Sequence, residues 1–333
     1  MRDADDGAGA LWQRWHDSDF PLRLGVSGCL LGEEVRFDGG HARNRFVAHT
    51  LAHWIEFVSV CPEVEIDMGI PRPTIRLVEE QDGLHLVAPS TGQDYTERMT
   101  SYAGGRVGEL QAEGLDGFVL KKGSPSCGME RIKVYKNEMP LRKDGRGLFA
   151  ATLLADWPLL PVEEEGRLND EHLRENFIER VFYRNRWRAL VARGLSRGRL
   201  VEFHTAHKLL FLAHDEPGYR RMGQLVASAG QRPDDELYAE YERESQLALQ
   251  KQATPGAHTN VLQHALGHLK ELLTPKEKQE LLLAIEDYRQ GLLPLIVPLS
   301  LVRYEVRRHR IDYLLGQLYF DPHPKELMLR NHA

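Results

Sequence analysis

Only three cysteines occur in the 333 residues, at positions 29, 61 and 127. So small and odd a number excludes a disulfide framework, and leaves metal binding, catalysis or inert burial for the thiols. Long apolar runs are also missing. With no stretch of eighteen apolar residues, no transmembrane helix is expected. The first twenty residues, with Asp3, Asp5, Asp6 and Trp12, lack the basic start and apolar core of a signal peptide, so a cytoplasmic protein is expected. Positive charge is not in excess either: 43 Lys and Arg face 49 Asp and Glu, for a net charge of −6. General attraction to nucleic acid is thereby excluded, and any phosphate contact must come from local patches.

What is present falls into two regimes. A chain of this length exceeds the usual single core, so two domains are expected. Before about residue 165 the sequence alternates aliphatic runs, helical patterns and glycine turns; beyond it Leu, Arg, Glu and Gln dominate with helical periodicity. That pattern predicts an α/β domain with a mostly parallel, Rossmann-like sheet over residues 21–165, then an all-α domain over 166–333. Residues 1–20 read as an N-terminal extension. The strand candidates are 22–29, 57–63 and 117–128, apolar runs that end in small-residue or proline turns. Helical spacing marks 45–55, and a second helix through Val107, Leu110 and Leu115 is broken by Gly114 and Gly117. Helix 148–156 and strand 159–162 close the domain before an acidic link over 163–166. Further helices are expected over 203–213, 217–229, 236–252, 260–272, 275–289 and 293–319, with Thr274 as an N-cap before Pro275.

Each cysteine stands at or just past the carboxyl end of a predicted strand, in Ser27-Gly28-Cys29, Cys61-Pro62-Glu63 and Ser124-Pro125-Ser126-Cys127-Gly128. If those strands are neighbours in one parallel sheet, the sulfurs converge on the crevice where open α/β proteins bind ligands. A single free cysteine is as often a small buried hydrophobe as a ligand. Three at loop mouths, with none elsewhere, favour a metal site. Structural zinc wants a fourth protein ligand and usually a CxxC knuckle, and neither is evident. Three thiolates would instead leave one iron of a [4Fe–4S] cluster without a protein ligand.

The stretches SGCLLG, CPEVE followed by GIPRP, and KKGSPSCG resemble the thiouracil desulfidase family over roughly residues 20–165. The remainder, from FIERVFYRNRW to VRYEVRRHR, is similar to a helical domain fused to it in some bacterial proteins. That fused form resembles desulfidases acting on 4-thiouridine in transfer RNA. The resemblance implies a [4Fe–4S] cluster on Cys29, Cys61 and Cys127, whose open iron takes the sulfur of a thiocarbonyl base. Water attack on the polarised carbon would then give uracil and sulfide. Glu63 matches the family's acidic residue and is assigned as general base or water-positioning group; capping the following turn is its structural alternative. Ser124 matches a serine that contacts the base or relays a proton, with turn hydrogen bonding as the alternative. Ser27, Gly28 and Ser126 are placed to hydrogen-bond cluster sulfurs, and Lys121 and Lys122 either steady the cluster or a phosphate or are simply solvated. EIDMGIPRPTIRLV after Cys61 departs from single-domain members. In it Arg72 and Arg76 read as phosphate ligands or, slightly better, as surface residues. Arg43 and Asn44, in a donor-rich segment after Asp38-Gly39-Gly40, are substrate-binding candidates.

In the second half, seven arginines between 180 and 199 interleave with Phe182, Tyr183 and Trp187, and Arg303, Arg307, Arg308, His309 and Arg310 gather around Tyr304. Guanidinium and aromatic groups together suit phosphate clamping and base stacking in RNA. Arg184 and Arg188 are therefore substrate-binding candidates, against solvated helix faces as the plain reading. His204, His207, His214 and the pair His264 and His268 read better as helix-packing residues than as metal ligands. Three functions compete: a desulfidase of 4-thiouridine in transfer RNA, one of free thiouracil or thionucleoside, and a non-catalytic cluster protein that binds RNA or senses redox state. The oligomeric state is not legible.

Overall fold

A computed structural model describes residues 11–17 and 19–331. The chain divides into two compact units, one over Pro21–Asp170 and one that joins the stretch up to Phe20 with Glu171 onward. In the first, β1 (Arg23–Ser27), β2 (Glu56–Val60), β6 (Gly117–Leu120) and β9 (Val162–Glu164) form a fully parallel sheet in the order β2-β1-β6-β9. β6 is buried along its whole length, as its unbroken GFVL run requires of an inner parallel strand. Gly25 in β1 is fixed by close approach, since a Cβ there would sit 2.2 Å from the Phe118 ring. α3 (Thr96–Glu113) and α4 (Leu148–Asp156) pack on this sheet through one core that holds Leu110, Phe118, Phe149 and Leu153. α3 ends at Gly114, whose φ of 71° is the left-handed conformation glycine adopts cheaply.

A second sheet was not legible. β3 (Arg76–Glu79), β4 (Leu84–Ala88), β5 (Gln93–Asp94), β7 (Ile132–Lys136) and β8 (Met139–Gly145) form a mixed sheet in the order β5-β4-β3-β7-β8. β8 is exposed from Met139 to Asp144 and reads MPLRKD, so it carries almost no apolar signal. The segment read as a link at 163–166 is also structural: Glu163 and Glu164 end β9, and Glu163, Glu164 and Glu165 are all buried.

The helical unit is built from α5 (Glu171–Ala192), α6 (Arg197–His214), α7 (Glu216–Ala227), α8 (Asp234–Gln250), α9 (Pro255–Leu269), α10 (Pro275–Arg289), α11 (Ile296–Arg308) and the short α12 (Asp312–Leu315). Tyr183, Trp187, Phe203 and Phe211 centre its core. α10 starts as expected, with a capping box in which Thr274 Oγ1 accepts from Glu277 N and the Glu277 carboxylate accepts from Thr274 N. The single helix expected over 293–319 is broken after Arg308, and Arg310 adopts φ +49°. The stretch read as an extension packs on this unit: Trp12 meets Phe182 edge-on at 6.0 Å and Trp15 meets Phe203 at 5.6 Å. No helix is long and apolar enough to cross a membrane among the described residues.

Candidate metal and catalytic site

The parallel sheet decides where the site lies. Ser27, Val60 and Leu120 are the last residues of β1, β2 and β6, so the loops that follow leave from one edge. Cys29 lies in the tight turn after β1, Cys61 follows β2 directly and begins the short α2 (Pro62–Glu65), and Cys127 ends the loop after β6. All three line a single cavity of about 440 Å³, together with Glu63, Arg72, Lys121 and Ser124. All three are free thiols, Cys29 and Cys127 buried and Cys61 half-buried.

Their chemistry fits a cluster: three cysteine sulfurs line one cavity and act on one another electrostatically. Burial pushes the Cys29 thiol up to about 11, with the neighbouring Cys61 adding to the shift and Lys121 and Arg36 opposing it. Burial also raises Cys61, and raises Cys127 well above the ordinary thiol range, with Glu63 the next cause for Cys127. Burial thus disfavours the free thiolates, and a cationic metal group bound to the three sulfurs would favour them.

Glu63 faces the cavity from α2. Its Oε2 accepts from Arg72 Nε at 2.9 Å and Nη2 at 2.8 Å, and its Oε1 accepts from Ser126 Oγ at 2.9 Å and Ser124 Oγ at 3.4 Å. Arg72 is therefore not a surface residue: it is buried and also donates to Val35 O at 2.8 Å and Gly69 O at 3.1 Å. Arg76 stacks at 4.8 Å over the Tyr135 ring. Ser124 does hold its turn, since its Oγ accepts from Ser126 N at 3.2 Å and Cys127 N at 3.1 Å, while also reaching Glu63. Ser27 Oγ accepts from Lys121 N at 3.0 Å.

The remaining candidates are placed elsewhere. Arg43 is exposed and, like Asn44, absent from the cavity lining; Asn44 Oδ1 accepts from Val47 N at 3.0 Å and caps the following turn. Arg184 is buried in α5, 3.9 Å from Glu242, because α5 is enclosed around nearly its whole circumference. Arg188 is half-buried. His204, His207 and His214 are buried packing residues: His204 Nδ1 pairs with Tyr241 OH at 3.2 Å, His207 Nδ1 with Phe203 O at 2.7 Å, and His214 Nε2 with Glu179 Oε2 at 2.9 Å. His264 and His268 are exposed.

Two acids that sequence reasoning treated as linker support the cysteine loop. Glu164 Oε1 accepts from Met129 N at 2.7 Å, just past Cys127. Glu165 pairs with Lys121 Nζ at 2.5 Å and accepts from Lys122 N at 2.7 Å. A run of three glutamates at the end of a predicted strand was the available signal, because carboxylates there either face solvent or bind loop amides.

Residues 24–165, which hold every residue of this site, match the 2-thiouracil desulfurase family, and residues 208–324 match a family of unknown function, DUF1722. The YbgA protein of Escherichia coli K12 is 33% identical over 165 residues, 49% of this chain and 98% of that protein. The chain belongs to the 2-thiouracil desulfurase family, in a form fused to DUF1722. The chain has further relatives. YbbK of Bacillus subtilis 168 is 28% identical over 134 residues, 38% of this chain and 87% of that one. Among solved structures, the [4Fe-4S]-dependent thiouracil desulfidase TudS is 30% identical, with 45% of this chain and 94% of that chain covered and a TM-score of 0.37.

Proposed function

We propose that the α/β domain is a [4Fe–4S]-dependent desulfidase of thiolated uracil, whose substrate in this fused chain is 4-thiouridine within transfer RNA. One observation carries the reading: the only three cysteines of the chain converge on one cavity whose lining includes Glu63. Cys29, Cys61 and Cys127 would hold the cluster. When bound, it supplies a soft Lewis acid that prefers sulfur to oxygen and polarises a thiocarbonyl. Glu63 takes a proton from water through Oε1, while Arg72 holds Oε2 and so fixes the carboxylate plane. The Ser124 hydroxyl, within reach of Oε1, passes a proton towards the departing sulfur. The net change is C=S plus water to C=O plus hydrogen sulfide.

The exposed Tyr304, Arg307 and Arg310 at the end of α11 support RNA as the carrier of the base. Burial of Arg184 favours a second reading, a free thiouracil or thionucleoside substrate, because it withdraws that part of α5 from any phosphate. Free thiols fit a reducing, cytoplasmic setting. The decisive experiment is anaerobic reconstitution with iron and sulfide, then incubation with transfer RNA that contains 4-thiouridine. Loss of the near-ultraviolet thiouridine absorbance, abolished in Glu63→Gln with the cluster spectrum retained, is expected. Persistent absorbance beside an intact cluster rejects the activity, and turnover of the nucleoside alone selects the second reading.

A further inference from the structure

Cys61 is the least enclosed of the three cysteines, and the helix it begins, α2, is a single turn, too short to be stable by itself. Within that turn Val64 N and Glu65 N donate to Cys61 O at 3.0 and 2.9 Å. A further bond runs the other way. Glu65 folds its carboxylate back along α2, and its Oε1 accepts from Cys61 N at 2.8 Å. The amide of Cys61 is thereby committed to a carboxylate, while its sulfur takes hydrogen bonds from the next amides, those of Val64 and Glu63.

The other oxygen of that carboxylate is anchored from outside the turn. Tyr102 Oη donates to Glu65 Oε2 at 2.6 Å, and Arg106 Nε lies 3.4 Å from the same oxygen. Tyr102 and Arg106 are four residues apart and so share one face of α3. That helix is a firm support: Met99, Ala103, Val107 and Leu110 bury it in the core, and Arg106 also bonds Glu109 at 2.9 Å and Glu113 at 3.0 Å. Tyr102 packs as well on Phe149 of α4, with ring centroids 6.3 Å apart, and interacts electrostatically with Cys127. α4 in turn braces the Cys127 loop, since Leu148 N donates to Pro125 O and Ala150 N to Ser126 O, both at 3.2 Å. One tyrosine therefore joins the supports of two cysteines. Glu65, Tyr102 and Arg106 are all absent from the cavity lining, so they act through the cysteines and not on a substrate.

We propose that Glu65 is a positioning residue for the cluster ligand Cys61, held from α3 by Tyr102 and Arg106, and that its charge makes the cluster harder to reduce. The two effects come from different properties of one side chain. Its hydrogen bond fixes the Cys61 backbone, and with it the direction of the sulfur and of Glu63 two residues on. Its negative charge, beside a ligand and only 32% exposed, opposes the arrival of an electron. A cluster that stays oxidised is the stronger Lewis acid towards a thiocarbonyl, and this consequence alone rests on the desulfidase reading.

The full chain, reconstituted anaerobically with iron and sulfide, supplies two readouts that need no turnover: the rate of cluster loss to an iron chelator, and the midpoint potential. E65Q keeps an acceptor for Cys61 N but loses the charge. Its cluster should persist within about twofold of wild type, while the reduction equilibrium moves about tenfold towards the reduced form, a rise of about 59 mV for one electron. E65A loses the bond as well, and its cluster should leave about tenfold faster, the scale of removing a group that orients a metal ligand. Y102F keeps the charge and releases its anchor, so faster cluster loss without a rise in potential is expected. E97Q neutralises an exposed acid of α3 that is not bonded to Cys61, and should move either readout by less than about twofold. Wild-type cluster retention in E65A overturns the positioning role, and a wild-type potential in E65Q overturns the electrostatic one. A rise in Y102F as large as in E65Q marks general loosening and overturns it too. Failure of these variants to differ leaves a chain that desulfurises 4-thiouridine as the desulfidase it is read to be. The expected pattern in a chain that leaves 4-thiouridine untouched sinks that reading and keeps the role of Glu65.

Discussion

Glu63 shows how far one side chain depends on another. Arg72 is almost fully enclosed and pairs with a carboxylate that is itself mostly buried, so neither charge has water to fall back on. Breaking such a pair leaves an uncompensated buried charge. Arg72→Met should therefore destabilise the α/β domain by about 3–5 kcal/mol, read as a lower denaturant midpoint, whereas an exposed control such as Arg98→Met should shift it by less than about 1 kcal/mol. An unchanged midpoint in Arg72→Met would contradict the burial of the pair. Glu63 was named because, within the CPEVE stretch, it matches the acidic residue of the family that the sequence resembles. The sequence could not name Arg72 as its partner, since a pairing between a helix turn and a separate loop leaves no periodic trace.

At the scale of elements, the loop that carries Cys127 is locked by its neighbours more than by its own residues. A Cβ added at Gly147, the first residue before α4, would sit 2.4 Å from Ser126 O and 2.9 Å from Cys127 N, both backbone atoms that cannot rotate away. Gly147→Ala should therefore displace the Cys127 loop and cost roughly 1–3 kcal/mol, and iron bound per chain after reconstitution should fall. Wild-type iron content in that variant would show the loop to be compliant. In the helical unit, Thr274→Ala removes the α10 cap and should lower stability by about 0.5–2 kcal/mol, measured by chemical unfolding of the full chain. That helix was legible to the residue because Thr-Pro-x-Glu is local chemistry. The helix over 293–319 was misread for the opposite reason, as its apolar spacing runs on through a break that only the backbone at Arg310 makes.

At the scale of the whole chain, buried histidines make the helical unit sensitive to acid. In the helical unit, burial holds both His204 and His258 down to about 4 from an ordinary 6.5. Their unfolded forms bind protons at a higher pH than their folded forms do. Stability is therefore full above about 6.5 and is lost as pH falls from there towards 4. Thermal melts of the full chain between pH 7 and pH 4 should show the helical transition moving to lower temperature. His258→Phe should weaken the dependence, and a transition that stays fixed over this window would refute the buried neutral state. The order of the four parallel strands places the cysteine loops on one edge, and this is the level at which three distant residues become one site.

The chain of residues alone specified the parallel α/β core and set each cysteine just past an apolar strand, whereas the strand order, which makes those strands neighbours, brought the three loops to one edge. Folding in three dimensions decided what surrounds them. Arg72 turned inward to Glu63, Glu164 and Glu165 closed on loop amides, Arg184 sank into the bundle and Phe37 stayed open at the cavity. A charged side chain has no preference for surface or interior until its partner is fixed, and those partners lie far along the chain.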